Sequence, residues 1–141
     1  MDFLKDSKLL EPVRGEPGVY ELRRDVRVNV GPFQWVDLKK GTRTNFASVP
    51  KFLHWLIDPD ANDIALAALV HDAIVGEFAP PVPIKSQDYT AKNLVPIARV
   101  PNWKQAARVF RGIMYDTKAP AWKRFLAYNG VRAYGIVKEF E

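Results

Sequence analysis

The hydrophobic period of this chain changes once, near Gly41, and that change limits the fold more than any other feature. Before it, Val26, Val28 and Val30 alternate with Arg27 and Asn29, the two-residue repeat of a half-buried strand. Val19, Tyr20 and Leu22 carry the strand pattern back to Gly18, with Arg24-Asp25 as a turn or bulge. Gly31-Pro32 punctuates, 33–38 reads as another short strand, and Lys39-Lys40-Gly41 as a turn. Beyond Gly41 the apolar residues recur at helical spacing. The expected class is therefore α+β, a small N-terminal antiparallel sheet or hairpin followed by three to five helices.

Ser48 has the chemistry of a helix N-cap, with Pro50 in the first turn, where a missing N–H costs nothing. Phe52, Leu53, Trp55, Leu56 and Ile57 make that helix strongly apolar, and Asp58-Pro59-Asp60 ends it. A second helix over 61–75 aligns Ile64, Ala67, Ala68, His71 and Val75 on one stripe. The segment 76–102 holds Pro80, Pro81, Pro83, Pro96 and Pro101 and has no clear period. Its length is unusual for a passive connection, so it is either an ordered excursion or a binding loop, and Ile84, Tyr89, Leu94, Val95 and Ile97 argue that it packs. Helices over 103–115 and 121–137, joined by a short connection, read as an antiparallel pair. The 141 residues are expected to form a single domain, β-rich over 1–40, helical over 41–75, Pro-rich over 76–102 and a helical hairpin over 103–138.

The chain has no cysteine, which excludes disulfides, thiolate metal sites and cysteine nucleophiles. No apolar run approaches the roughly 20 residues of a membrane span, and residues 1–10, with Asp2, Lys5, Asp6 and Lys8, do not resemble a signal peptide. Net charge is +5, concentrated in 99–138, where nine basic residues face one acid, Asp116. Such a field attracts nucleic acid or another acidic ligand, with Lys104, Arg108 and Arg111 as the candidate stripe. The plainer reading is a solvated helical face.

Several short runs resemble one family. Thr44-Asn45-Phe46-Ala47-Ser48-Val49-Pro50 is similar to the T-D-F-A-S-V-P signature of the phage-associated domain of unknown function 1353, and Ala67-Ala68-Leu69-Val70-His71-Asp72 resembles its A-A-x-x-H-D. The stretch 104–114 resembles its helix with an Ala-Asp pair, a Phe and a Met. Ala119-Pro120-Ala121-Trp122-Lys123-Arg124 resembles its V-P-x-W-K-R, and Val131-Arg132-Ala133-Tyr134-Gly135 its closing V-R-x-x-G. The resemblance implies a phage or prophage gene, a host-cytoplasm or virion location, and a phage or host protein as partner. It implies no reaction. The chain departs from the pattern where the family's first Asp is Asn45, where the Asp of the Ala-Asp pair is Ala107, and where its Arg is Lys104.

Three classes of function are open for the two motif patches. On the structural reading, Asn45, Ser48, His71 and Asp72 form a polar centre tying the 45–48 turn to the helices, and no cofactor is expected. His71 then hydrogen-bonds through its ring nitrogens, and Asp72 answers a cation of the C-terminal helices. On the enzyme reading, Ser48, His71 and Asp72 are a nucleophile, base and orienter, or His71 and Asp72 hold a divalent metal with His54 and Asp63 or Asp88. The order His54, His71-Asp72 and a later Asp88 or Asp116 is also similar to metal-dependent phosphohydrolases, although the N-terminal strands do not suit that all-helical fold. On the binding reading, the basic helices take nucleic acid or an acidic ligand, and Trp35, Trp55, Trp103 and Trp122 offer stacking surfaces. Three of these tryptophans sit at apolar helical positions and are expected in the core, with Trp103 the one partly exposed. The favoured expectation is a binding or structural role in the virion, its assembly or host lysis.

Overall fold

A computed structural model describes residues 9–46, 49, 51–57, 64–76, 80–86 and 97–139. Two small antiparallel sheets come first in the chain and three α-helices follow or interrupt them, an α+β architecture. The first sheet has the order β1-β2-β5, formed by Leu10–Pro12, Tyr20–Leu22 and Arg43–Thr44. The second has the order β3-β4-β6-β7, formed by Val26–Gly31, Gln34–Leu38, Ile84–Ser86 and Ile97–Arg99.

The strand pattern over 18–30 is thus divided between two sheets. Leu22 pairs with Leu10 in the first, and Val26 pairs with Leu38 in the second. The break falls at Arg23-Arg24-Asp25, where the Asp25 carboxylate accepts the Lys40 N–H at 2.7 Å and fastens the crossing to the next turn. Short-range alternation does not register such a crossing, because both halves keep the same period. The Pro-rich segment also contributes more than a connection. Its Ile84–Ser86 and Ile97–Arg99 extend the second sheet, and Ile84 is buried.

Lys51–Leu56 is a 3-10 helix rather than an α-helix, closed by the bond from Ile57 N–H to His54 C=O at 3.0 Å. Helix α1, Ile64–Val75, lies inside the protein. Ten of its twelve residues are buried, from Ile64 and Ala65 through His71, Asp72 and Ile74. The expected single stripe is therefore an all-round apolar surface, as a helix covered on several sides requires. Its alanines at 65, 67, 68 and 73 let neighbours approach closely. It packs against β4 and β5 on the sheet side and against α2 on the other.

Helix α2, Trp103–Asp116, starts at a reciprocal cap. Asn102 accepts the Gln105 N–H at 2.8 Å, and Gln105 accepts the Asn102 N–H at 3.1 Å. It buries Ala106, Ala107, Phe110, Ile113 and Met114. Helix α3, Ala121–Glu139, packs back on α2 as the antiparallel pair that the short connection implies. Gly135 permits this approach at one point, since a Cβ there would stand 3.3 Å from the Cβ of Trp103. One core cluster includes Leu22, Val36, Ile64, Leu69, Phe110 and Val131, so both sheets' strands and all three helices contribute to it. No described helix is long and apolar enough to cross a membrane.

Candidate functional site

The first motif patch begins where β5 ends. Thr44 is fully buried, and its hydroxyl donates to the Asp72 carboxylate at 2.5 Å. The same hydroxyl oxygen accepts the Phe46 N–H at 3.0 Å. A short relay therefore runs from the turn backbone through Thr44 to the second half of α1. Phe46 adopts a left-handed backbone, φ 59°, which is rare for a bulky residue and is held only by surrounding structure. Its ring is 5% exposed and meets Tyr20 at 5.3 Å between centroids.

His54 closes the other side of this turn. Its Nε2 lies 3.0 Å from the Phe46 carbonyl and 2.6 Å from the Val49 carbonyl. Both partners only accept, so Nε2 carries the proton and donates to them. The imidazole seen to fasten the turn is thus that of His54. Thr44 and His54 were absent from the expected polar centre. Thr44 had a legible signal, as the first residue of the motif run, but its hydroxyl was indistinguishable from a strand-end surface group.

His71 and Asp72 occupy neighbouring positions on α1, and their side chains diverge as the helical step of roughly 100° requires. Asp72 points to the sheet side, toward Thr44. His71 points to α2, where its ring lies 5.8 Å from Trp103 and 6.1 Å, edge to face, from Phe110. His71 is 0% exposed and Asp72 1% exposed. His71 Nδ1 stands 3.8 Å from Asp72 Oδ1, outside hydrogen-bond reach. Neither ring nitrogen of His71 has a hydrogen-bond partner among the described residues. Asp72 also borders a cleft of about 230 Å³ lined by Gly41, Thr42, Arg43, Pro80 and Val82.

The other candidates are distributed differently. Asn45 is exposed, beside the buried Thr44. Ser48 lies outside the described residues, as do Asp63 and Asp88, so neither the Ser-His arrangement nor the larger metal set has geometry here. No group of three or more His, Asp or Glu side chains suited to a metal ion occurs among the described residues. Ala107, at the position of the family motif's second Asp, is 1% exposed in the core. Lys104, Arg108 and Arg111 are all exposed on α2. Lys104 therefore stays apart from the buried centre.

A second candidate surface lies on the outer face of the α2–α3 pair. Arg111 of α2 sits 5.0 Å over the Tyr128 ring of α3, and Arg124 of α3 sits 5.0 Å over the Tyr115 ring of α2. These reciprocal pairs flank an open groove of about 640 Å³, which Phe125 also lines. At one end of α3, Trp122 stacks on Trp55, with centroids 6.0 Å apart and planes at 27°. Both indoles are largely exposed, at 53% and 65%. This corrects the expectation that helical tryptophans lie in the core. Trp103, by contrast, is half-buried between His71 and Tyr134.

The chain thus combines an α+β scaffold with a buried polar relay and a basic, aromatic outer face. Residues 20–131 match the model of the family described as "Protein of unknown function (DUF1353)", and the chain belongs to that family. The match begins earlier than the motif runs, at β2, and it spans the Pro-rich segment. Neither a curated protein nor a solved structure matches the chain.

Proposed function

We propose that this chain is a phage-encoded binding protein, acting in the virion, its assembly or host lysis, and that its working surface is the basic face of α2 and α3. The phage assignment rests on the family resemblance. One observation carries the binding reading. The reactive pair, His71 and Asp72, is 0% and 1% exposed, whereas Lys104, Arg108 and Arg111 stand in solvent. A substrate needs contact with a catalytic group within about 3 Å, and the complete burial of His71 denies it that contact. The Thr44–Asp72 relay then serves as the polar centre that fixes the turn after β5 to α1. The anionic partner is drawn by a field in which eight basic residues over 103–139 face Asp116 and Glu139.

The test is retention on heparin, followed by affinity for it as a function of salt. Tight binding at low salt that weakens steeply as salt rises supports the reading. No retention at low salt removes it.

A metal-assisted hydrolase is the second reading. It is favoured by the cleft bordered by Asp72 and by the unpartnered ring nitrogens of His71 among the described residues. A stoichiometric metal in the purified protein, whose removal lowers the melting temperature, would put this reading first. Equal melting with and without chelator removes it.

A further inference from the structure

We infer that the α2–α3 face takes single-stranded nucleic acid, with bases stacking on its exposed rings and phosphates meeting its arginines. The inference rests on the anionic-partner reading above and names the partner. Three large aromatic side chains stand in solvent along this face, Tyr115 at 67%, Phe125 at 68% and Trp122 at 53%, and Trp55 of the 3-10 helix, at 65%, adjoins them. Trp122 and Phe125 are three residues apart on α3, so they adjoin on its surface. Soluble proteins seldom leave such rings together in water without a use.

Two of these rings, and the groove-lining Tyr128, have a cation beside them. Arg124 lies over Tyr115 at 5.0 Å, Lys123 over Trp122 at 5.6 Å, and Arg111 over the groove-lining Tyr128 at 5.0 Å. A guanidinium stacked on a ring keeps its N–H edge free to donate, and that planar fork matches a phosphate. The groove between the two Arg–Tyr pairs is therefore flanked by donors and lined by Tyr115, Phe125 and Tyr128, with Asp116 as its one acid.

Charge alone suits any polyanion, so the rings decide among partners. A duplex keeps its base faces inside its own stack and would use only the cations. An acidic peptide would pair with the cations and gain nothing from flat, exposed indoles. An unpaired strand uses both, because every base offers a π-face and every linkage a phosphate. The Trp55–Trp122 pair extends this surface beyond the groove by two indoles already stacked on each other.

The experiment measures binding of the full chain to a fluorescent oligothymidylate of about 16 nucleotides, a duplex of equal length, and polyglutamate. The wild type, Trp122→Ala, Phe125→Ala and an Arg111→Gln/Arg124→Gln variant are compared, with circular dichroism to verify folding. These side chains are exposed or line an open groove, so their loss leaves the core in place. The single strand should bind at least about tenfold more tightly than the duplex or polyglutamate, and each ring deletion should weaken it about tenfold. The double arginine variant should lower the salt slope by about two. Equal binding of all three polyanions, unmoved by W122A and F125A, would overturn the inference while leaving the anionic-partner reading intact. Failure to bind any polyanion would overturn both. Sedimentation as a dimer, abolished by W122A, would assign the face to a second copy of the chain and overturn the inference.

Discussion

Replacing Thr44 with Val removes one hydroxyl and almost no volume, and it strikes the buried relay at its centre. Two groups each lose one hydrogen bond. The Asp72 carboxylate loses a donor at 2.5 Å, and the Phe46 N–H loses an acceptor at 3.0 Å. Thr44 is 0% and Asp72 1% exposed, so water does not readily substitute. A hydrogen bond to a charged group is worth about 1.5–3 kcal/mol, and an orphaned buried amide costs about 1–3 kcal/mol. Partial relaxation of the turn brings the sum to about 3 kcal/mol. For a protein of this size that corresponds to a melting temperature about 10 °C lower. Urea denaturation followed by circular dichroism measures the change. Thr44→Ser, which keeps the hydroxyl and loses one methyl, should cost only about 1 kcal/mol. A double-mutant cycle with Asp72→Ala should return a coupling of about 1.5 kcal/mol or more. A loss under about 0.5 kcal/mol for Thr44→Val, the range of ordinary surface changes, would refute the relay as a source of stability.

His71→Leu should alter stability by less than about 1.5 kcal/mol, because the ring packs on Trp103 and Phe110 and its nitrogens have no partner among the described residues. His71→Ala, which opens a cavity at the same place, should cost about 3 kcal/mol; equal damage from both changes in a denaturation series would show that the nitrogens are in use. On the second sheet, hydrogen bonds from Arg27 at 2.7 Å and Lys85 at 3.3 Å hold the Asp37 carboxyl below its ordinary value of 3.8. The folded state thus favours the charged carboxylate. That contribution is full above the unfolded value and disappears as pH falls through the folded one, so Asp37→Asn should flatten the loss of stability below about pH 4. Melting curves across that range test it, and parallel wild-type and mutant curves would contradict it.

The halves of the chain were unequally legible. The α2–α3 hairpin follows from local signals, apolar spacing over 103–115 and 121–137 and a short connection between them, whereas the Asn102–Gln105 cap emerged only with the structure. The β3–β4 pair follows from alternation through Val26, Val28 and Val30. The first sheet did not, because Leu10–Pro12 and Arg43–Thr44 are too short to show a period and depend on non-local pairing with Tyr20–Leu22. The same holds for Ile84–Ser86 and Ile97–Arg99 within the prolines. At the site, the motif runs include two residues, Thr44 and Asp72, that the structure joins, a contact the sequence reading did not anticipate. Thr44 reaches Asp72 across 28 positions, and His54 fastens the turn. The first pairing depends on how α1 packs against β5, which no local pattern encodes. The exposed indoles escaped notice for the opposite reason. Apolar spacing predicts a buried face, and only the neighbouring elements determine whether anything covers it.

Because α1 is wrapped on every side, with ten of its twelve residues out of water, it behaves as an axle shared by strands and hairpin alike. A fragment ending before Trp103 would strip one flank of that axle and present a sticky alanine–leucine surface to its neighbours in solution. A fragment beginning after Thr44 would do the same on the opposite flank. The chain should therefore melt in a single step, and expression of either half alone should yield aggregates rather than a smaller folded unit.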